Sequence, residues 1–244
     1  MWQINHDVSK NYSNLMKGFS NLMEKTHQEL IERSVSVKKF TVYLMGIKSN
    51  MKFGFTSKEV KLNDIDNWTE LFDALSEMKA WDCLNYELLR DLFEKYLLKP
   101  ELLILKEQLE SYDREVQHFL DGTLLLDFLD IYKELFPDES DLRRGCVMLK
   151  AKARGNLSTT TLSEYHSIRG YLMCQFRLQH YVLRLATANE GCLLLFWYIP
   201  QCLASHIQKI CQELQPDLGQ AGVAELCIDN KVLYQVSSAN SHIG

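Results

Sequence analysis

Cys202, His206 and Cys211 come nearer to a metal-ligand spacing than any other residues of this chain. A cysteine and a histidine four apart share one face of a helix, where a thiolate and an imidazole can hold one zinc ion. A closed zinc site takes four ligands, and the sequence has no Cys-x-x-Cys pair to complete one. Pro200, Cys202, Leu203 and Ile207 read instead as the buried side of an amphipathic helix. A cysteine nucleophile is the second chemistry to weigh. Cys83 could meet His118 or His166 only if the fold brought them together, and no local motif announces that. The eleven glycines are scattered, with no Gly-Lys-Ser and no Gly-x-Gly-x-x-Gly to cradle a phosphate. The expectation is therefore a non-enzymatic chain with no cofactor, no catalytic residue and no metal.

Binding chemistry is better represented. Trp81, Asn85, Tyr86 and Glu87 cluster at a turn between two helical patterns, and aromatics beside acids serve protein recognition when exposed. The same residues could instead form a helix–helix corner with Trp81 and Tyr86 inside. A second group lies on a strand that runs to Pro200. Phe196 or Tyr198 could stack nucleic-acid bases, with Lys150, Lys152, Arg154 and Arg184 as phosphate contacts. An RNA-recognition strand opens with a basic residue, a glycine and an aromatic. Here Glu190-Gly191-Cys192-Leu193 stands in that place, which argues against nucleic acid.

The elements that must position these residues divide at the charged, turn-rich stretch Pro137-Asp138-Glu139-Ser140-Asp141. Before it, apolar residues recur three or four apart and predict about six helices: 7–33, a second carrying Val37, Phe40, Leu44 and Ile47, a third capped by Asp64, then 85–98, one opened by Pro100, and 124–136 capped by Thr123. Short loops between them predict an antiparallel bundle over residues 1–136. Residues 137–144 read as a linker.

After the linker the period falls from 3.6 to 2. Val147, Leu149, Ala151 and Ala153 alternate with Met148, Lys150, Lys152 and Arg154 as a half-buried strand. Thr161 and Glu164 form a capping box for a helix with Leu162, Tyr165, Ile168, Leu172 and Phe176. Strands at 181–186 and 192–199 follow, then a helix after Pro200. A strand at 223–228 comes last, extended through a hairpin at Asp229-Asn230. This β-α-β-β-α-β order predicts a ferredoxin-like sheet over 145–236, with a flexible tail at 237–244. The fold class is α+β.

The 192–199 strand is apolar on both sides. Cys192, Leu194, Phe196 and Tyr198 face one way; Leu193, Leu195, Trp197 and Ile199 face the other. One side meets the helices of the sheet. The other needs a cover: the bundle, a second copy of the chain or a partner.

Composition bounds the reading. The 244 residues are 46% hydrophobic with a net charge of -5, which gives no general attraction to nucleic acid or acidic membrane. Residues 1–144 carry 19 basic and 26 acidic side chains, and residues 145–244 carry 8 and 6. Seven irregularly spaced cysteines, most in apolar runs, suit a reducing compartment, so a cytoplasmic protein is expected. The apolar run from Cys192 to Pro200 is too short for a membrane span, and the first residues lack a secretory signal pattern.

Asn11-Tyr12-Ser13-Asn14-Leu15-Met16, Leu84-Asn85-Tyr86-Glu87-Leu88-Leu89 and Glu190-Gly191-Cys192 leading into Leu195-Phe196-Trp197-Tyr198-Ile199-Pro200 resemble an uncharacterised helical plus α/β module. That module occurs in invertebrate multidomain proteins beside death-fold, ankyrin or nucleotide-binding receptor-like domains. The resemblance runs from about Asn11 to Tyr234. It implies an adaptor or regulatory region in intracellular, innate-immune-like signalling, with protein partners and possible self-association. The expected interaction residues are Trp81, Asn85, Tyr86, Glu87, Phe196, Trp197 and Tyr198. The alternatives are an RNA-binding sheet and a death-fold-type helical adaptor over residues 1–136.

Overall fold

The structure, a computed structural model, is described for residues 2–48, 62–77, 80–96, 103–135, 145–178, 183–189, 193–214 and 218–236. The expected linker at 137–144, the tail at 237–244, Pro100, Glu190 and Gly191 of the turn before the third strand, and Cys192 at the start of that strand lie outside these. Helices and a sheet follow one another along the chain, so the protein is α+β. It divides into two compact units, Met1–Gly122 and Thr123–Gly244. No helix among the described residues is long and apolar enough to cross a membrane.

The first unit is helical: α1 (Trp2–Glu32), α2 (Lys38–Lys48), α3 (Trp68–Glu77), α4 (Glu87–Tyr96) and α5 (Leu103–Gly122). Helix α1 buries Val8, Tyr12, Leu15, Leu22 and Leu30, while Met16 and Ile31, which share their three-to-four spacing and are expected inside with them, are exposed. It ends where Ser34 takes a left-handed φ of 50° and the Val35 amide reaches back to the Leu30 carbonyl. Helix α5 packs along α1, with Tyr12 against Phe119 and Phe19 against Tyr112. Gly18 makes room at this crossing: a Cβ there would lie 3.4 Å from the Tyr112 ring. The cap of α3 is not Asp64, which belongs to a short 3-10 turn, Leu62–Asp64. Asn67 caps it, its Oδ1 accepting from the Glu70 amide at 2.9 Å. Trp68 then buries its ring and donates from Nε1 to the Val35 carbonyl at 2.7 Å.

The second unit begins earlier than the turn-rich stretch suggests. Helix α6 (Leu125–Leu135) groups with the sheet and not with the other helices. The reason lies in residues 123–125. The Leu125 amide donates to the Thr160 carbonyl and the Leu162 amide to the Thr123 carbonyl, both at 2.8 Å. This short bridge ties the start of α6 to the start of α7 (Leu162–Gln175). The other elements are β1 (Cys146–Ala153), β2 (Arg184–Asn189), β3 (Leu193–Pro200), α8 (Gln201–Leu214), β4 (Val223–Ile228) and β5 (Lys231–Gln235).

The five strands form one antiparallel sheet in the order β2-β3-β1-β4-β5. Asp229 and Asn230, both at positive φ, make the tight β4–β5 turn that this residue pair favours. In register, Leu149 pairs with Trp197 and Ile228, and Ala151 with Leu195 and Leu226. All of these are buried. Helix α7 lies on their side, because the Trp197 Nε1 donates to the Tyr165 hydroxyl at 3.0 Å.

The predicted capping box holds α7: the Glu164 amide donates to Thr161 Oγ1 at 3.1 Å, and the Thr161 amide to Glu164 Oε2 at 2.8 Å. Thr161→Ala removes one acceptor and should cost about 1 kcal/mol of stability in urea unfolding. An unchanged midpoint would show that the box is dispensable.

Candidate functional site

Three of the four residues expected to form a helical recognition surface are interior. The Asp82 and Asn85 backbones exchange two hydrogen bonds, at 3.0 and 3.2 Å, and Asp82 Oδ1 accepts from the Leu84 amide, so the chain turns tightly between α3 and α4. Trp81 lies edge-on to Phe72 and donates to Ser76 Oγ. Tyr86 packs edge-on against Tyr112 and donates from its hydroxyl to Asp113 Oδ1 at 2.6 Å. Arg90 bonds the same oxygen at 2.9 Å and lies over the Tyr86 ring. Burial, and then the Asp113 bond, push the Tyr86 phenol well above its ordinary range. Trp81, Asn85 and Tyr86 are buried, and Glu87 is half-buried. The arrangement is the packed corner that the same residues also allowed.

The possible chemical groups do not assemble into a reactive set. Cys83 is buried, and burial followed by the nearby Asp82 charge pushes its thiol up to about 12, so it stays protonated. Cys202, expected on the buried side with Leu203 and Ile207, is exposed on α8 together with His206, while Cys211 is buried, so the three do not share a face. The His206 Nε2 is 2.9 Å from the Phe176 carbonyl at the end of α7, and must be the donor there. No three potential ligands meet among the described residues.

The second group of candidates separates by the pleat of β3. Trp197 is fully buried on the helix side. Phe196 is on the opposite face with Leu194 and Tyr198. Registration with β1 puts Met148 beside Tyr198, Lys150 beside Phe196 and Lys152 beside Leu194. Strand β4 adds Cys227 next to Lys150 and Glu225 next to Lys152. Tyr198 and Cys227 are buried, Met148, Lys150, Leu194, Phe196 and Glu225 are half-buried, and Lys152 is exposed. Arg154 is exposed just past the end of β1. The Arg184 backbone pairs with Tyr198, and its side chain lies outside the described part of the chain.

This face therefore gathers Phe196 with the two strand lysines and leaves Trp197 on the other side of the sheet. Met148 joins it through strand alternation alone, a signal present in the sequence but overshadowed by the aromatics. Comparisons of the chain with protein-family models, with curated proteins and with solved structures return no match.

Proposed function

We propose that the protein is a non-enzymatic interaction module, an adaptor or regulatory part of a signalling protein, and that it meets its partner through the sheet face bearing Phe196. We infer that the second unit is a ferredoxin-like sheet with β5 added at its edge, and that the first is an antiparallel helical bundle. The order β2-β3-β1-β4 supports the former, since it is what two β-α-β units interleaved in one sheet produce. The observation that carries the functional reading is a half-buried apolar cluster of Phe196, Leu194 and Met148 at the middle of a sheet whose opposite face is packed. With α6 grouped with the sheet, the death-fold alternative keeps five helices among the described residues of the first unit.

Replacing Phe196 by the photo-crosslinker p-benzoylphenylalanine should give discrete protein adducts in cells. The same group at the exposed Lys209 of α8 should not. Identical adduct patterns at both positions, or none at 196, would reject the reading.

A further inference from the structure

We infer that the sheet face around Phe196 recognises an acidic, apolar peptide segment, an inference that rests on the protein-interaction reading of the same face. Lys150 sits in the middle of β1, with Phe196 on one side and Cys227 on the other. Its half-buried side chain forms no ion pair among the described residues, and neither does Lys152, although Glu225 stands opposite it in register. An ammonium partly removed from water gains most from an anion that arrives with its own apolar cover. Two lysines at i and i+2 on one strand face are about 7 Å apart along the chain. Carboxylates two residues apart on an extended peptide have the same spacing. An apolar side chain at the next position on the same side of that peptide, two residues from a carboxylate, would rest on Leu194, Phe196 and Met148.

Charge also narrows the occupant. A second copy placed face to face brings two more lysines, Lys150 and Lys152, for one further glutamate, Glu225, and this positive surplus opposes association. A nucleic-acid strand, with a phosphate at every nucleotide, would set a continuous run of negative charge against Glu225, and against Asp229, whose Oδ1 accepts from the Met148 amide at the rim, where a peptide with two carboxylates set over Lys150 and Lys152 does not have to. It would also find one half-buried aromatic, Phe196, where base-stacking sheets offer two or three.

The test uses the full chain and three fluorescein-labelled probes: a Leu-Ser-Phe-Ser-Glu-Ser-Asp peptide, whose apolar and acidic side chains share one side when extended, its Asn/Gln counterpart, and a ten-nucleotide oligouridylate. Fluorescence anisotropy should show binding of the acidic peptide only, weakening as salt is raised. Lys150→Ala with Lys152→Ala should weaken it by about tenfold or more, and Lys150→Arg with Lys152→Arg should retain it. If the neutral peptide binds equally and is lost in Phe196→Ala, the acidic preference is overturned while the interaction face stands. Tighter binding of the oligouridylate, lost in the alanine pair, would overturn both. Acidic-peptide binding untouched by the alanine pair, or no peptide binding at all, would overturn the inference.

Discussion

Trp197→Ala is expected to lower stability by about 3–5 kcal/mol, a large part of the roughly 5–15 kcal/mol that an ordinary domain possesses. The indole is fully buried on β3, a strand paired on both sides. It stacks on Tyr165 with ring centroids 6.2 Å apart and 20° between planes, and donates its one N–H to the Tyr165 hydroxyl at 3.0 Å. Leu149 and Leu185 flank it in register and are also buried. Alanine would leave a cavity that these neighbours, held by ladder hydrogen bonds, cannot close by small shifts. Trp197→Phe keeps most of the apolar volume and loses the donor, so about 1–2 kcal/mol is expected.

Urea unfolding followed by circular dichroism gives both values. Trp197 is the one tryptophan of residues 123–244, so the difference in emission between the native protein and Trp197→Phe, with Trp2, Trp68 and Trp81 common to both, reports that unit. A loss below about 1 kcal/mol for the alanine variant would contradict the placement of this ring at the centre of the sheet.

The way Trp197 and Phe196 divide was legible because the pleat alternates strictly along an unbroken strand. Once β3 is recognised from its apolar run, one residue has to face the helices and its neighbour has to face away. What the pattern of β3 alone leaves open is which of the two is inside. That is decided by Leu149 and Ala151 on β1, whose alternation with Lys150 and Lys152 marks the packed side.

Where a strand is interrupted, the same logic fails. The expected strand at 181–186 is found at Arg184–Asn189. Leu183 and Leu185 are both buried, as a period of 2 requires, but the ladder shifts between Leu185 and Thr187 and brings Ala188 to the buried side. An inserted residue of this kind resets the alternation, so a strict period of 2 assigns Ala188 to the wrong face.

Helix α6 shows a different limit. Its buried Leu125, Phe128, Leu129 and Ile131 announce a packed face, yet an amphipathic stripe does not say what it packs against. The partner was set by the two backbone bonds between residues 123–125 and 160–162, which no side-chain pattern encodes. The corner at Trp81 and Tyr86 is similar. An aromatic beside polar residues looks the same in a binding surface as in an interior with a distant partner. The partner of the Tyr86 hydroxyl, Asp113, is 27 residues away. Asn67 and Asp64 are both good caps by type, and only the start of the Trp68, Leu71, Phe72, Leu75 stripe distinguishes them.

His166 should make the protein's stability fall with acid in a window that carboxylates alone would not define. Its ring sits partly buried on α7, one turn before Arg169, a buried residue whose Nε donates to the Leu183 carbonyl. Burial, and then the positive Arg169, lower its pKa from the ordinary 6.5 to about 3. In the unfolded chain the imidazole takes up a proton near its ordinary value. Between pH 6.5 and 3 the unfolded state therefore holds one proton more than the folded state, and stability must fall as the pH is lowered. The contribution of the neutral ring is complete above pH 6.5 and lost progressively toward pH 3, at about 1.4 kcal/mol per pH unit.

Urea unfolding at about pH 6.5, 5.5 and 4.5 should show the native chain losing about 2–3 kcal/mol more than His166→Gln over that range. The other titrating groups are common to both chains and cancel in the difference. Parallel losses in the two would mean that the ring gains its proton as readily inside the fold as outside it, and the burial of α7 against the sheet would then be looser than its geometry implies.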